Sequence, residues 1–218
     1  MMLRLELVCL AVPAYLWTWW HHQRRFVYVF MTGAVTCAGS IALSVLVDSY
    51  FWRKRFLWPE GHAVIFNVIE GRSAEWGVSP PWTYVVRDLP RILFAAFPLA
   101  LLGCTRRSSF RSPLVLLICT HVGLMSFLAH KEWRFLVYIV PLCNMLAAQG
   151  ASMLIRTYLG RWLMLGLVGT SAALWILGTH VSIYNYPGGE ALRILHTQMQ
   201  EAQVVHIDTL AAMTGVSL

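Results

Sequence analysis

Six long apolar runs constrain the fold of this chain more than any other feature of its sequence. Each is close to the roughly 20 apolar residues that a helix needs to cross a bilayer, and short charged or aromatic clusters separate them. Only 12% of the residues are charged, about half the share found in an ordinary soluble domain. The sequence therefore predicts an all-α multi-span membrane protein with about six transmembrane helices. The predicted spans are residues 3–20, 26–47, 82–102, 113–129, 135–155 and 162–180.

Two longer stretches lie outside these spans. Residues 48–81 carry four basic and four acidic residues among many aromatic ones. This composition is too apolar for disorder, so we expect a folded loop. Residues 181–218 combine a turn, a helical pattern and, at 204–208, a pattern typical of a short strand. We therefore predict a transmembrane region over residues 1–180 and the start of a small α/β domain, cut short, over 181–218.

The distribution of positive charge indicates an orientation in the membrane. Three short loops hold seven arginines and no acidic residue, and Lys and Arg concentrate in the short cytoplasmic loops of membrane proteins. The other loops also hold seven basic residues, spread over more chain. The number of basic residues is thus the same on both sides, but their higher density favours a cytoplasmic position for the three short loops. The 48–81 loop and the C-terminal tail would then share the opposite face. The three short loops are residues 21–25, 103–112 and 156–161.

Five consecutive residues, His130 to Arg134, interrupt the apolar sequence between two predicted spans. Burying Lys131, Glu132 or Arg134 at the centre of a bilayer would cost roughly 3 kcal/mol each, so this motif belongs at a membrane surface or in a wet cavity. If the motif is helical, positions 130, 131 and 134 share one side and Glu132 points elsewhere. Three nitrogen donors would then form a natural seat for a phosphate. The alternative is an interfacial loop whose charges simply end two helices.

Charges also occur inside the third predicted span. Arg87, Asp88 and Arg91 lie in its first half and should face the bundle or water, because charges that face lipid are costly. Pro90 and Pro98 are expected to kink the same span.

The five cysteines show neither metal nor disulfide spacing, so we predict no metal and no cofactor. The basic residues form short clusters and no stripe, which argues against nucleic-acid binding.

The sequence His-Lys-Glu-Trp-Arg-Phe at 130–135, followed by Pro141, resembles the signature of a known family. This family is glycosyltransferase family twenty-two, the mannosyltransferases of the endoplasmic reticulum. Seven further segments follow the order found in the α-1,6-linking branch of the family, and the resemblance covers about residues 40–218. The segments are residues 47–52, 58–61, 73–80, 89–91, 184–189, 206–208 and 214–216.

The resemblance implies a GT-C-like membrane fold and an inverting mannosyl transfer at the luminal face of the endoplasmic reticulum. The donor would be dolichyl-phosphate mannose and the acceptor a dolichol-linked oligosaccharide, the precursor of N-glycans. A leaving phosphate needs cationic donors, and we assign that role to His130, Lys131 and Arg134. For an acidic residue, the alternative to a substrate-orienting role is a structural ion pair with a nearby arginine. For a tryptophan, the alternative is a place in the aromatic belt at the membrane interface. The possible substrate-orienting residues are Asp48, Glu75, Trp76, Arg87, Arg91 and Glu132.

The resemblance leaves the catalytic base unknown. The resemblance implies that the base is an acidic residue of the first luminal loop. That loop should lie upstream of Asp48, and it has no counterpart in this sequence. Members of the family are also longer, so we expect an incomplete chain with little activity of its own. Two other hypotheses stay open. One is an α-1,2-mannosyltransferase of the same pathway or of glycosylphosphatidylinositol synthesis, and the other is a non-enzymatic multi-span transporter or scaffold.

Overall fold

A computed structural model describes residues 5–21, 23–106, 112–198 and 205–215, and all regular secondary structure in these residues is helical. Parts of the predicted segments 3–20, 21–25, 103–112, 181–218 and 204–208 lie outside them. The helices are α1 Val8–His21, α2 Gln23–Phe51, α3 Pro59–Val64, α4 Leu89–Leu93, α5 Ala96–Cys104, α6 Pro113–Ser126, α7 Val140–Leu154, α8 Tyr158–Ser182, α9 Pro187–Gln198 and α10 Thr209–Met213. Shorter 3₁₀ turns occur at Leu5–Leu7, Arg72–Trp76 and Trp133–Ile139, and π turns at Ile65–Ile69 and Tyr84–Asp88.

Three helices of the described part are long and apolar enough to cross a membrane: Phe26–Phe51, Trp133–Leu154 and Tyr158–Ser182. They coincide with three of the predicted spans. Helix α6 is apolar but shorter, and α1 has only 14 residues. The prediction of an all-α membrane protein is thus confirmed, whereas six crossings remain a prediction.

The expected span at 82–102 is broken, and one kinked helix is the wrong description. Helix α4 ends at Phe94, whose φ of 46° is unusual for a residue other than glycine. Pro98 explains the position of the break, because a proline has no N–H for the carbonyl four residues earlier and its ring clashes with that carbonyl. The Phe94 carbonyl instead accepts a hydrogen bond from the Phe97 amide at 3.1 Å. Two short helices therefore replace one long one.

The tightest packing in the first compact unit, which ends at Met164, joins α5 to α7. A Cβ atom on Gly103 would overlap the Leu146 carbonyl, and one on Gly150 would overlap the Leu99 carbonyl. The two backbones therefore touch directly, as small residues allow in membrane helices. By contrast, no described atom outside their own helix lies within 4 Å of a Cβ built on Gly33 or Gly39.

A buried core lies next to these helices and supports the polar motif at residues 130–134. Tyr84, Leu136 and Ile139 are fully buried, and so is His121 of α6. The His121 Nε2 atom lies 2.7 Å from the Phe135 carbonyl. Since a carbonyl can only accept, this nitrogen carries the proton and donates it. The contact fixes the 3₁₀ turn Trp133–Ile139 against α6.

The second unit begins at Leu165, within α8, and contains a small helical pair. The amide of Gly188 donates to the Thr214 hydroxyl and that of Gly189 to the Thr214 carbonyl, both at 3.2 Å. The strand predicted at 204–208 is not observed, since residues 205–208 have no regular secondary structure. Asp208 instead caps α10 by accepting from the Ala211 amide at 2.6 Å. A lone strand would leave its backbone groups unpaired, whereas a helix cap satisfies them.

The contact between α5 and α7 predicts a large effect for a single methyl group. Replacing Gly150 by Ala should lower the unfolding free energy by about 1–3 kcal/mol, because backbone atoms cannot move aside as side chains do. Gly123→Ala is the matched control, since its Cβ would meet no described neighbour within 4 Å and Ala favours a helix. Thermal unfolding of the detergent-solubilised protein measures both variants, and equal midpoints would contradict direct backbone contact.

Candidate functional site

The motif at 130–134 is not helical, which overturns the geometry expected from the sequence. Glu132 has an extended backbone, with φ −117° and ψ 136°, and the 3₁₀ turn begins only at Trp133. In extended chain, side chains alternate sides with a period of two, so positions 130 and 132 share one side and position 131 faces the other. Arg134 already lies in the 3₁₀ turn, and its hydrogen bond to Glu132 places it on the same side as that carboxylate.

Glu132 lies at the centre of a three-residue ion cluster, here called the Glu132 cluster (His130, Glu132 and Arg134). The His130 Nε2 atom lies 3.2 Å from the Glu132 Oε1 atom, and Arg134 Nε donates to Oε2 at 2.6 Å. Arg134 Nη2 donates to the same Oε2. The prediction that Glu132 points away from the cations is thus wrong. Burial alone would raise the pKa of Glu132, but the hydrogen bonds and charges of Arg134 and His130 outweigh it and hold that pKa below its usual value.

Lys131 points to the opposite side and is only 6% exposed. Its Nζ atom donates to the carbonyls of Leu128 at 2.6 Å and Ser79 at 3.1 Å. The Ser79 amide in turn donates to the Ala129 carbonyl at 3.0 Å. Burial lowers the pKa of the Lys131 ammonium. The three nitrogens of His130, Lys131 and Arg134 therefore do not converge on one point, contrary to the expectation from helical spacing.

A second ion pair lies close to the Glu132 cluster. Arg87 donates to both carboxylate oxygens of Asp88, through Nε at 2.7 Å and Nη2 at 3.3 Å. The Asp88 side chain is buried and that of Arg87 is largely exposed. The π turn Tyr84–Asp88 packs against the turn that begins at Trp133, and buried Tyr84 lies within electrostatic reach of Asp88, Glu132 and Arg87. The two ion pairs thus flank a single aromatic side chain.

The other predicted site residues lie apart from the Glu132 cluster. Glu75 forms an exposed ion pair with Arg72 at 2.7 Å, and hydrogen bonding from Arg72 lowers the pKa of Glu75. Trp76 is exposed, with its ring 6.2 Å from that of Phe66. Arg91 is exposed and makes no ion pair with any described residue. Gly77, next in the chain after Trp76, lies beside His130, because a Cβ there would be 3.7 Å from His130 Nδ1.

Asp48 belongs to a group that the sequence did not indicate. Buried Ser44 places its Oγ atom 3.0 Å from Asp48 Oδ2 and 3.2 Å from Glu60 Oε2. A hydroxyl has one hydrogen and can serve only one carboxylate at a time, so the two acids share it. Glu60 lies in the segment 58–61, where the sequence pattern indicates no role for it. The spacing of 16 residues between Ser44 and Glu60 carries no periodic signal that would have revealed the contact.

The described residues contain no group of three His, Cys, Asp or Glu side chains that could hold a metal ion. The site presents the charged side chains of the Glu132 cluster at a partly exposed surface. Arg134 uses two of its nitrogens on Glu132, and a guanidinium has five N–H donors. The Glu132 cluster can therefore hold one arginine rigidly while part of its guanidinium still faces solvent, a geometry suited to binding an anion.

Known proteins similar to this chain include several that are named mannosyltransferases. The sequence profile of the Alg9-like mannosyltransferase family matches residues 1–213, including residues 1–39, to which our sequence analysis did not extend the resemblance. A relative in Schizosaccharomyces pombe is called a probable Dol-P-Man:Man(7)GlcNAc(2)-PP-Dol alpha-1,6-mannosyltransferase, and it is 34% identical over 98% of this chain and 40% of its own length.

Relatives in Arabidopsis thaliana and Drosophila melanogaster carry the same name without "probable". The first is 39% identical over 83% of this chain and 39% of the relative. The second is 40% identical over 81% of this chain and 27% of the relative. The chain thus spans at most about two fifths of the length of these three relatives. No solved structure matches it. With the family profile matching nearly the whole sequence, the chain belongs to the Alg9-like mannosyltransferase family.

Proposed function

We propose that this chain is the central membrane part of an enzyme that transfers mannose in α-1,6 linkage. The donor is dolichyl-phosphate mannose and the acceptor is the dolichol-linked oligosaccharide with seven mannoses. The observation that supports this proposal is the shared name of three relatives that are 34–40% identical over most of the chain. We place the transfer in the endoplasmic-reticulum membrane, with the reacting groups on the luminal face.

In this proposal the Glu132 cluster binds the phosphate of the donor. The phosphate leaves as mannose departs, so the transition state gains negative charge that fixed cations stabilise. Arg134 and His130 contact the phosphate, while Glu132 holds both in place. Lys131 takes a different role from the one its position in the sequence implied. It positions the 77–79 segment beside His130 and does not touch the phosphate.

The remaining candidates orient substrate. Arg91 is an exposed cation without an ion-pair partner in the described part of the chain, and we propose it with Arg87 as a contact for the acceptor. Exposed Trp76 offers an aromatic face for a sugar. We assign no general base here. Arginines pair with Glu132, Asp88 and Glu75, and Asp48 shares a hydroxyl with Glu60, so each of these carboxylates is already engaged by another side chain.

We further propose six membrane crossings, in which α1, the α4–α5 pair and α6 join the three long apolar helices. The density of arginine in the short loops supports a cytoplasmic position for them. The 48–81 loop, the Glu132 cluster and residues 181–218 then lie on the luminal side. In this arrangement the tail is the beginning of the luminal domain.

Disruption of the gene that encodes this chain tests the proposed reaction. The dolichol-linked oligosaccharides of the disrupted cells should stall at the seven-mannose stage, because the next mannose is not added. Chromatography of the released glycans measures the stall, and restoring the intact gene should remove it. A stall at another stage would favour an α-1,2-mannosyltransferase, and an unchanged profile would refute a role in this pathway.

Lys131→Met should destabilise the protein, because two carbonyls lose their charged donor inside a buried site. A buried acceptor left without a partner costs roughly 1–3 kcal/mol, so we expect a loss of about 2 kcal/mol or more, measured by thermal unfolding in detergent. Arg156→Met removes one positive charge from an exposed position and should leave the midpoint unchanged. If Lys131→Met unfolds like the native protein but loses donor binding, Lys131 contacts the phosphate and our assignment is wrong.

Glu132 should make stability depend on acid pH. Its folded pKa lies below the ordinary value of 4.5, so its contribution is fully present above about pH 4.5 and is lost as the pH falls through the lower folded value. The unfolding midpoint of Glu132→Gln should therefore lie below that of the native protein at pH 7, and the difference should shrink as the pH falls below 4.5. Glu75→Gln, which breaks an exposed pair screened by solvent, should show a smaller difference. A difference for Glu132→Gln that does not depend on pH would contradict the ion cluster.

A further inference from the structure

The chain leaves α2 through a strongly exposed turn, here called the basic aromatic turn (residues 50–56). Its three consecutive cations, Arg53, Lys54 and Arg55, are exposed. Four large aromatic side chains surround them and are also exposed, with Phe56 the most so at 86%. The other three are Tyr50, Phe51 and Trp52. The proposed transfer reaction uses none of these residues.

The backbone of this turn is fixed and not a loose loop. The Lys54 amide donates to the Ser49 carbonyl at 3.2 Å, and the Arg53 amide to the Tyr50 carbonyl at 3.3 Å. This is the Schellman arrangement that ends many helices. The Ser49 hydroxyl also accepts from the Leu57 amide at 3.0 Å, so Ser49 holds both ends of the turn.

An arginine occupies the position in this turn that glycine normally fills. Arg53 has φ 52°, and Phe56 follows with φ 55°. A left-handed conformation costs a residue with a side chain about 1–2 kcal/mol, and such strain concentrates at functional positions. Arg53 therefore adds a cation where Gly would fit the backbone with less strain.

Acidic residues near the turn do not neutralise it. The 48–81 segment has equal numbers of basic and acidic residues, which predicts a balanced loop. In the structure, however, Asp48 and Glu60 both turn to Ser44, and Glu70 and Glu75 both pair with Arg72. Among the described residues no carboxylate pairs with Arg53, Lys54 or Arg55, so the turn keeps three positive charges.

The turn also follows a helix that is long enough to reach the depth of lipid headgroups. The apolar span Phe26–Phe51 has 26 residues, which corresponds to about 39 Å of helix, while the hydrocarbon core of a bilayer is about 30 Å thick. A helix of this length brings its end into the headgroup layer. Aromatic rings beside basic groups are favoured at that boundary.

We infer that the basic aromatic turn binds the phosphate headgroups of anionic phospholipids at the end of α2. The three cations contact the phosphates, and the four aromatic rings insert beside them at the edge of the acyl chains. This surface lies outside the Glu132 cluster and does not depend on the proposed transfer reaction. Its partner is the bilayer surface itself, recognised by negative charge next to apolar chains.

Lipid-dependent stabilisation of the detergent-solubilised chain tests the inference, without any donor sugar. Phosphatidic acid should raise the unfolding midpoint, because a ligand that binds only the folded state stabilises it. Phosphatidylcholine and inorganic phosphate at the same concentration should not. Each cation near a membrane surface contributes about fivefold in affinity, so the variant with Arg53, Lys54 and Arg55 all changed to Gln should bind roughly 100-fold more weakly.

Two further variants separate lipid binding from folding. Arg156→Gln removes one exposed positive charge from another loop and should keep the full lipid response. Arg53→Gly relieves the left-handed strain, so its midpoint without lipid should stay equal or rise while its affinity for phosphatidic acid falls about fivefold. If the triple variant keeps the full response, or if phosphatidylcholine or inorganic phosphate acts as phosphatidic acid does, the inference is wrong.

A photocrosslinker gives a local measurement in a bilayer. With p-benzoylphenylalanine in place of Phe56, illumination of the chain in nanodiscs that contain phosphatidic acid should attach lipid at residue 56, detected by mass spectrometry. The same amino acid in place of Val68, which is also exposed, serves as the control and should capture less. Equal capture at both positions, or no lipid adduct at residue 56, would overturn the inference.

Discussion

The arrangement of the site depends on the buried ammonium group of Lys131. A charge removed from water must find strong partners, and Lys131 finds the carbonyls of Ser79 and Leu128. That requirement turns its side chain inward and keeps the backbone extended at Glu132. The extended backbone in turn places Glu132 on the side opposite to Lys131, where His130 and Arg134 contact it. One buried cation thus decides which of its neighbours meet solvent, and it joins two segments about 50 residues apart in the sequence.

The structure brings together a different set of side chains from the three that the sequence predicted for phosphate binding. The sequence places three nitrogen-bearing side chains in a row of five residues, but only two share a side, and a carboxylate lies between them. The carboxylate lowers the net charge of the cluster and fixes the side chains that bind. For a leaving group whose negative charge grows in the transition state, donors held in advance stabilise more than mobile ones. The proposed role of the cluster rests on this rigidity more than on its net charge.

The membrane class and three long spans could be predicted because both follow from apolar length alone. The course of the chain between spans could not, since it depends on single backbone choices. Pro98 predicted a kink, but only its clash with the Phe94 carbonyl explains a full break there. Spacing arguments also assumed a helix at Glu132, where burial of Lys131 imposes extended chain. The contact of Ser44 with Glu60 joins distant residues without any periodic pattern, so only the structure reveals it.

The direct backbone contact at Gly103 and Gly150 has a consequence for how the protein is made. Helix α6 separates the two contacting helices in the sequence, so α5 leaves the ribosome well before its partner exists. During that interval the face of α5 that carries Gly103 has no α7 to contact. Formation of this contact must therefore wait for the synthesis of α7, and translational pauses between α5 and α7 will lengthen that interval.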